Sequence, residues 1–94
     1  MSHDPLLRVM RAGREIDAQA FGPAERDARA ALREKQLLAG YFKPGLALRG
    51  HALLGLALEG QGRLDEAREA AHPACGPSSV SQVVRILRAQ GLCD

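Results

Sequence analysis

The chain has 94 residues and a formal net charge of +2, which bounds it to one small domain or a fragment of a repeat array. Its 16 alanines and 14 leucines stand against 4 valines, 2 isoleucines and no threonine, and its aromatic residues are Phe21, Tyr41 and Phe42. Strands need the β-branched and aromatic residues that are scarce here, so a sheet-based fold is excluded. The expectation is an all-α single domain of four to five short antiparallel helices.

No apolar run approaches the roughly 18 residues of a membrane span. The opening Met1-Ser2-His3-Asp4-Pro5 lacks a basic-then-apolar layout, so a cytoplasmic protein is expected. Residues 1–43 carry 8 basic and 6 acidic groups and residues 44–94 carry 5 of each, so neither half has the basic excess of an obvious nucleic-acid footprint. In a cytosolic chain Cys75 and Cys93 are expected as two reduced thiols, although the sequence leaves a disulfide open.

The first predicted helix covers 5–20. Asp4 suits its N-cap and Pro5 its first position, where a missing N–H is harmless. Leu6, Val9, Met10, Ile16 and Ala20 form its apolar stripe, and Gly13 marks a point of weakness or a kink. Gly22-Pro23 punctuates the chain before a second helix over 23–39. Ala24, Ala28, Ala31, Leu32 and Leu38 share one side of it, and Arg29 is spaced to pair with Glu25 one turn earlier. Gly40 and Tyr41 read as its C-terminal stop, and 41–45 as a packed connector.

The third helix, 44–59, is apolar nearly all round and is predicted to lie at the centre of the bundle. Gly60-Gln61-Gly62 is a tight turn. A fourth helix over 64–72 ends at Pro73, and 73–77 is a loop. The fifth helix begins at Ser78-Ser79, where Ser79 and Gln82 have capping-box spacing. Val80, Val83, Val84 and Leu87 supply its apolar face. Gly91 closes it, and Leu92 is placed to fold back on it.

The stretch from Leu53 to Ala71 carries the most information. Small residues stand at Gly55, Ala57 and Ala67, a glycine at the turn is Gly62, and Asp65-Glu66-Ala67 opens the next helix. Small residues allow two helices to cross closely, Gly62 takes positive φ without strain, and acids suit the positive end of the helix dipole. This pattern resembles one tetratricopeptide repeat, a helix-turn-helix protein-interaction unit. The departures are His51 and Ala71 at places where the family carries bulky aromatics, and an early Pro73. The resemblance covers about a third of the chain and a single repeat, so the other helices would have to flank and cap it.

The resemblance implies a non-enzymatic adaptor or small chaperone that binds a partner helix or peptide, or a second copy of itself. Its partner-facing positions fall on Arg49, Ala52, Leu56, Glu59 and Gly60. Plain core packing explains Ala52 and Leu56 equally well. Arg49, a lone cation on an apolar helix, is the better contact.

Other signals compete. Residues 78–90, with serines, Gln82, Arg85 and Arg88, look like the recognition helix of a DNA-binding helix-turn-helix. Two cations promise little counterion release, and a packing helix explains the same residues. His72 and Cys75, with Cys93 and His51 or His3, supply only one local pair toward a zinc site. The His72–Cys75 pair is also the sole nucleophile–base candidate, and no third group orients it. No cofactor, metal or enzymatic activity is expected.

Overall fold

The computed structural model of the chain describes residues 4–34, 44–77 and 79–94. Among them the elements are α1 (Pro5–Asp17), α2 (Phe21–Leu32), α3 (Pro44–Gly60), α4 (Leu64–Ala71), a 3₁₀ turn (His72–Cys75) and α5 (Ser81–Ala89). The described residues contain no strand, and the fold is all-α. Its principal extents are 34 × 28 × 19 Å, so the thin direction is about two helix diameters.

Asp4 caps α1 as its residue type suggests, its carboxylate accepting from the Leu6 backbone N–H at 2.9 Å. The helix runs unbroken through Gly13, so the expected kink is absent. It stops at Asp17 rather than at residue 20, because the chain must reverse before α2. Gln19 takes a left-handed φ of 60° in that reversal. The second helix starts at Phe21, two residues before the predicted start. Gly22 and Pro23 lie inside its first turn, where proline forfeits no helical hydrogen bond. It ends at Leu32 with Arg33 as its cap; residues 35–39 of the predicted helix, the Gly40–Tyr41 stop and most of the aromatic connector lie outside the described residues.

The third helix is the central element and packs against every other one. Ala52, Leu53, Leu54, Ala57 and Leu58 are buried along it. The second helix runs antiparallel to it, with Phe21 against Gly60 at one end and Leu32 against Gly50 at the other. The fourth helix packs antiparallel on another side. A Cβ at Gly55 would stand 2.7 Å from the Ala71 Cβ and 3.1 Å from the Ala67 carbonyl oxygen. Ala57, Ala67 and Ala71 are all fully buried. The turn between α3 and α4 places Gly62 at φ 77°, in the left-handed region.

Much of the interior is alanine: Ala12, Ala24, Ala28, Ala31, Ala57, Ala67, Ala71 and Ala74 have no exposed area. Val9, Leu58 and Leu87 are the largest fully buried side chains. One polar network ties the helices at the α2 end of the hairpin. Glu25 accepts from Gln61 at 2.9 Å, from Arg63 at 2.9 Å and from Arg29 at 3.0 Å, and Arg63 also pairs with Glu66. The Gln61 hydrogen bond, ahead of Arg29 and Arg63, holds the Glu25 carboxyl below its usual range against the opposing effect of burial.

Two expectations are corrected at the C-terminal end. The fifth helix begins at Ser81, with Val80 as an extended N-cap that makes no side-chain cap hydrogen bond. The Ser79–Gln82 capping box therefore does not form, because Ser79 stays in the preceding turn with its backbone N–H on the Gly76 carbonyl at 3.2 Å. Val80 is 63% exposed and takes no part in the apolar face. The reading of two free thiols is also overturned: Cys75 and Cys93 form a disulfide, with Cα atoms 5.7 Å apart. The helix does close as its sequence suggests. Gly91 adopts φ 76°, and the N–H of buried Leu92 reaches back to the Leu87 carbonyl at 2.8 Å.

Two glycine substitutions separate close approach from backbone entropy. Gly55→Leu is expected to lower stability by about 2 kcal/mol or more through overpacking against Ala71. In thermal unfolding that corresponds to a fall of about 10 °C in Tm. Gly13→Ala meets no atom within 4 Å and is expected to raise stability by about 0.5–1 kcal/mol.

Candidate functional site

Three helices that are not consecutive in the chain enclose a groove of about 610 Å³. Its floor is α3, through Arg49, Ala52, Leu53 and Leu56. One wall is α1, through Met10, Gly13, Arg14, Ile16 and Asp17; the other is α5, through Gln82, Val83, Ile86, Leu87 and Gln90. The floor is thin at Ala52, which has only a methyl group to offer, and the α1 wall carries no side chain at Gly13.

The apolar lining continues onto the rim. Met10 is 46% and Ile86 44% exposed, and both face the groove. Leu6 lies one turn before Met10 on the same side of α1 and is also exposed. The charges in the lining are Arg14, Arg49 and Asp17, an excess of one cation.

The structure brings together three of the five positions singled out from sequence. Arg49 is exposed at the groove, Leu56 is half-buried in it and Ala52 is 3% exposed at its floor. Glu59 lies outside the groove, in the last turn of α3, and Gly60 faces the Phe21 ring instead. Sequence reasoning treated α1 as an ordinary packing face and weighed α5 as a packing helix or a DNA-recognition helix, not as a groove wall. Their convergence depends on the tertiary arrangement, which no local pattern in the sequence signals.

A second, smaller hollow of about 330 Å³ lies between α2, α3 and α4, lined by Arg29, Leu32, His51, Glu66 and Pro73 among others. Burial keeps the His51 imidazole below its usual range, partly offset by its hydrogen bond with the Ala70 backbone. The described residues hold no group of three or more His, Cys, Asp or Glu side chains that could hold a metal ion. Both cysteine sulfurs are committed to the disulfide, so neither is available as a thiolate ligand or nucleophile in this state.

A charged cluster joins α1 to α2 behind the groove wall. Arg11 grips Asp27 with two hydrogen bonds of 2.8 Å, and Arg8 stands 3.6 Å from the same carboxylate. Asp27 is 8% exposed. Glu15 faces it, with its buried Oε1 lacking a hydrogen-bond partner. Burial acts to raise the Asp27 carboxyl, but Arg11, Glu15 and Arg8 together hold it below its usual range. Glu15 is pushed up to about 7, first by burial and then by the hydrogen bond to Asp27 and the repulsion of its charge. A proton on Glu15 lets it donate to Asp27, which relieves two carboxylates sharing one site. The sequence held a signal for this cluster: Asp27 sits at the i+3 position of the Ala24–Ala28–Ala31 stripe, where an apolar residue belongs.

No protein-family model, no curated protein and no solved structure matches the chain. No described helix is long and apolar enough to cross a membrane.

The raised Glu15 pKa sets a sign. The folded state holds the Glu15 proton more tightly than the unfolded chain does, so this group's contribution is complete below about pH 4.5 and is lost as pH rises through about 7. Glu15→Gln is therefore expected to raise Tm by several degrees at pH 8 and to leave it nearly unchanged at pH 4. Thermal melts of both proteins across that range check it.

Proposed function

We propose that the chain is a non-enzymatic protein-binding module, an adaptor or small chaperone, and that its groove takes one amphipathic helix of a partner protein. The carrying observation is the exposed apolar lining on three converging helices, with Arg49, Ala52 and Leu56 together at the floor. An incoming helix would lay its apolar stripe on Leu53, Leu56, Val83 and Ile86. Its flank would be acidic, because Arg14 and Arg49 outnumber Asp17 in the lining. The close-packed α3–α4 hairpin supports the tetratricopeptide resemblance as a reading of the same surface. The proposal places this binding in the cytoplasm, with no cofactor.

The DNA-binding alternative has weaker support. Arg85 is exposed on α5, but Arg88 donates to the Asp94 carbonyl at 3.1 Å. The α5 face bearing Val83 and Leu87 is turned to the groove.

The test uses two synthetic amphipathic peptides of about 16 residues, one built from Leu and Glu and one from Leu and Lys, long enough to form a helix on binding. Fluorescence anisotropy is expected to show binding of the Leu/Glu peptide and little of the Leu/Lys peptide. Leu56→Glu and Arg49→Glu are each expected to weaken it by about tenfold or more. Amide shift changes confined to α1, α3 and α5 would place the peptide in the groove. Equal binding of both peptides, or binding insensitive to Leu56→Glu, would overturn the proposal. Concentration-dependent dimerisation that blocks the peptide would instead name a second copy as the occupant.

A further inference from the structure

We infer that the Cys75–Cys93 disulfide is a redox latch on the groove: it holds α5 in place as one wall, and its reduction releases that wall. The inference rests on the docking role proposed for the groove and adds its regulation.

The geometry points to α5 as the detachable element. The helix has nine residues, too few to persist in water without packing. Leu87 is its one fully buried side chain, while Val80 and Ile86 are exposed and Val83 and Val84 half-buried. Its N-terminus has no side-chain cap, and the nearby Ser79 hydroxyl is buried without a hydrogen-bond partner. After the helix, Leu92 is buried and Arg68 of α4 donates to the Gly91 carbonyl at 3.1 Å. By contrast, α1 is held to α2 by the Arg11–Asp27 pair, and α2 to the α3–α4 turn by the Glu25 network.

The disulfide adds the covalent tie that α5 otherwise lacks. Cys75 ends the 3₁₀ turn that follows α4, next to fully buried Ala74, so it is fixed to the hairpin. Cys93 lies four residues beyond α5. The bond spans 18 residues in sequence and encloses the whole of α5. Closing such a loop removes freedom from the detached state and so favours the docked helix. Both cysteines are half-buried rather than sealed in the core, within reach of a small reagent.

The chemistry needs a dithiol reductant. Its thiolate attacks one protein sulfur, a mixed disulfide forms, and its second thiolate displaces the protein cysteine. The protein disulfide gains two electrons and two protons and becomes two thiols, and the reductant becomes a cyclic disulfide. In the cytoplasm proposed above, a disulfide is characteristically transient or redox-sensing rather than permanent. Loss of α5 removes Gln82, Val83, Ile86 and Gln90 from the lining and leaves a cleft between α1 and α3.

Hydrogen exchange by mass spectrometry on the full chain, oxidised and after dithiothreitol, tests the latch. Reduction is expected to speed amide exchange across 81–92 by about tenfold or more while α1 to α4 stay protected. Affinity for the Leu/Glu peptide is expected to fall in parallel and to return on reoxidation, and Cys93→Ser is expected to behave as the reduced protein. Unchanged exchange in α5 on reduction would overturn the latch even if the oxidised groove binds the peptide. Exchange rising through every helix would also overturn it, since the bond would then support the whole fold. A peptide that never binds the oxidised protein overturns the docking role, and the exchange in α5 still decides whether the bond holds that helix.

Discussion

The approach of helix backbones at positions without side-chain bulk is the constraint on which this structure depends. Gly55 faces Ala71 and the Ala67 carbonyl with no room for a Cβ, and Gly60 faces the Phe21 ring in the same way. These contacts draw α4 and α2 onto two sides of α3. The alanines of α1 and α2 extend the same close packing outward. With only a few large side chains inside, stability comes from many short contacts between near-bare helices rather than from bulky anchors.

That economy of volume inside has a counterpart outside. Leucine, isoleucine and methionine side chains that the narrow interior does not accommodate remain at the surface on Leu6, Leu7, Met10, Leu64 and Ile86. Of these, Met10 on α1 and Ile86 on α5 line the groove. The helix that organises the core, α3, also supplies the floor of the groove. Leu53 is 8% exposed and belongs to both. A substitution there would confound folding with the proposed recognition, whereas Arg49 is exposed and separates the two.

Local chemistry was legible in the sequence wherever one residue type has one conformational use. Asp4-Pro5 gave the start of α1, Gly62 the hairpin turn, and Gly91-Leu92 the end of α5. The central position of α3 followed from its nearly uninterrupted apolar surface. Serine was less decisive: Ser79 had the right spacing to cap α5, yet the chain leaves the loop extended through Val80 and starts the helix later. Gly22-Pro23 misled in the opposite direction, since the first turn of a helix tolerates both residues. Three floor residues of the groove were anticipated because they lie on one helix. Its walls were not, because α1 and α5 are separated by most of the chain and their meeting is a property of the fold. The disulfide was missed for the same reason: 18 residues of separation say nothing about distance until α5 has folded back.

The cystine also changes the topology of the chain. From residue 75 to residue 93 the backbone and the sulfur bridge form a closed ring with α5 inside it. A protease that cuts a peptide bond within that ring produces two fragments that remain one molecule. Cleavage there would open the backbone without shedding the helix, and the damage would stay hidden until the bridge was broken.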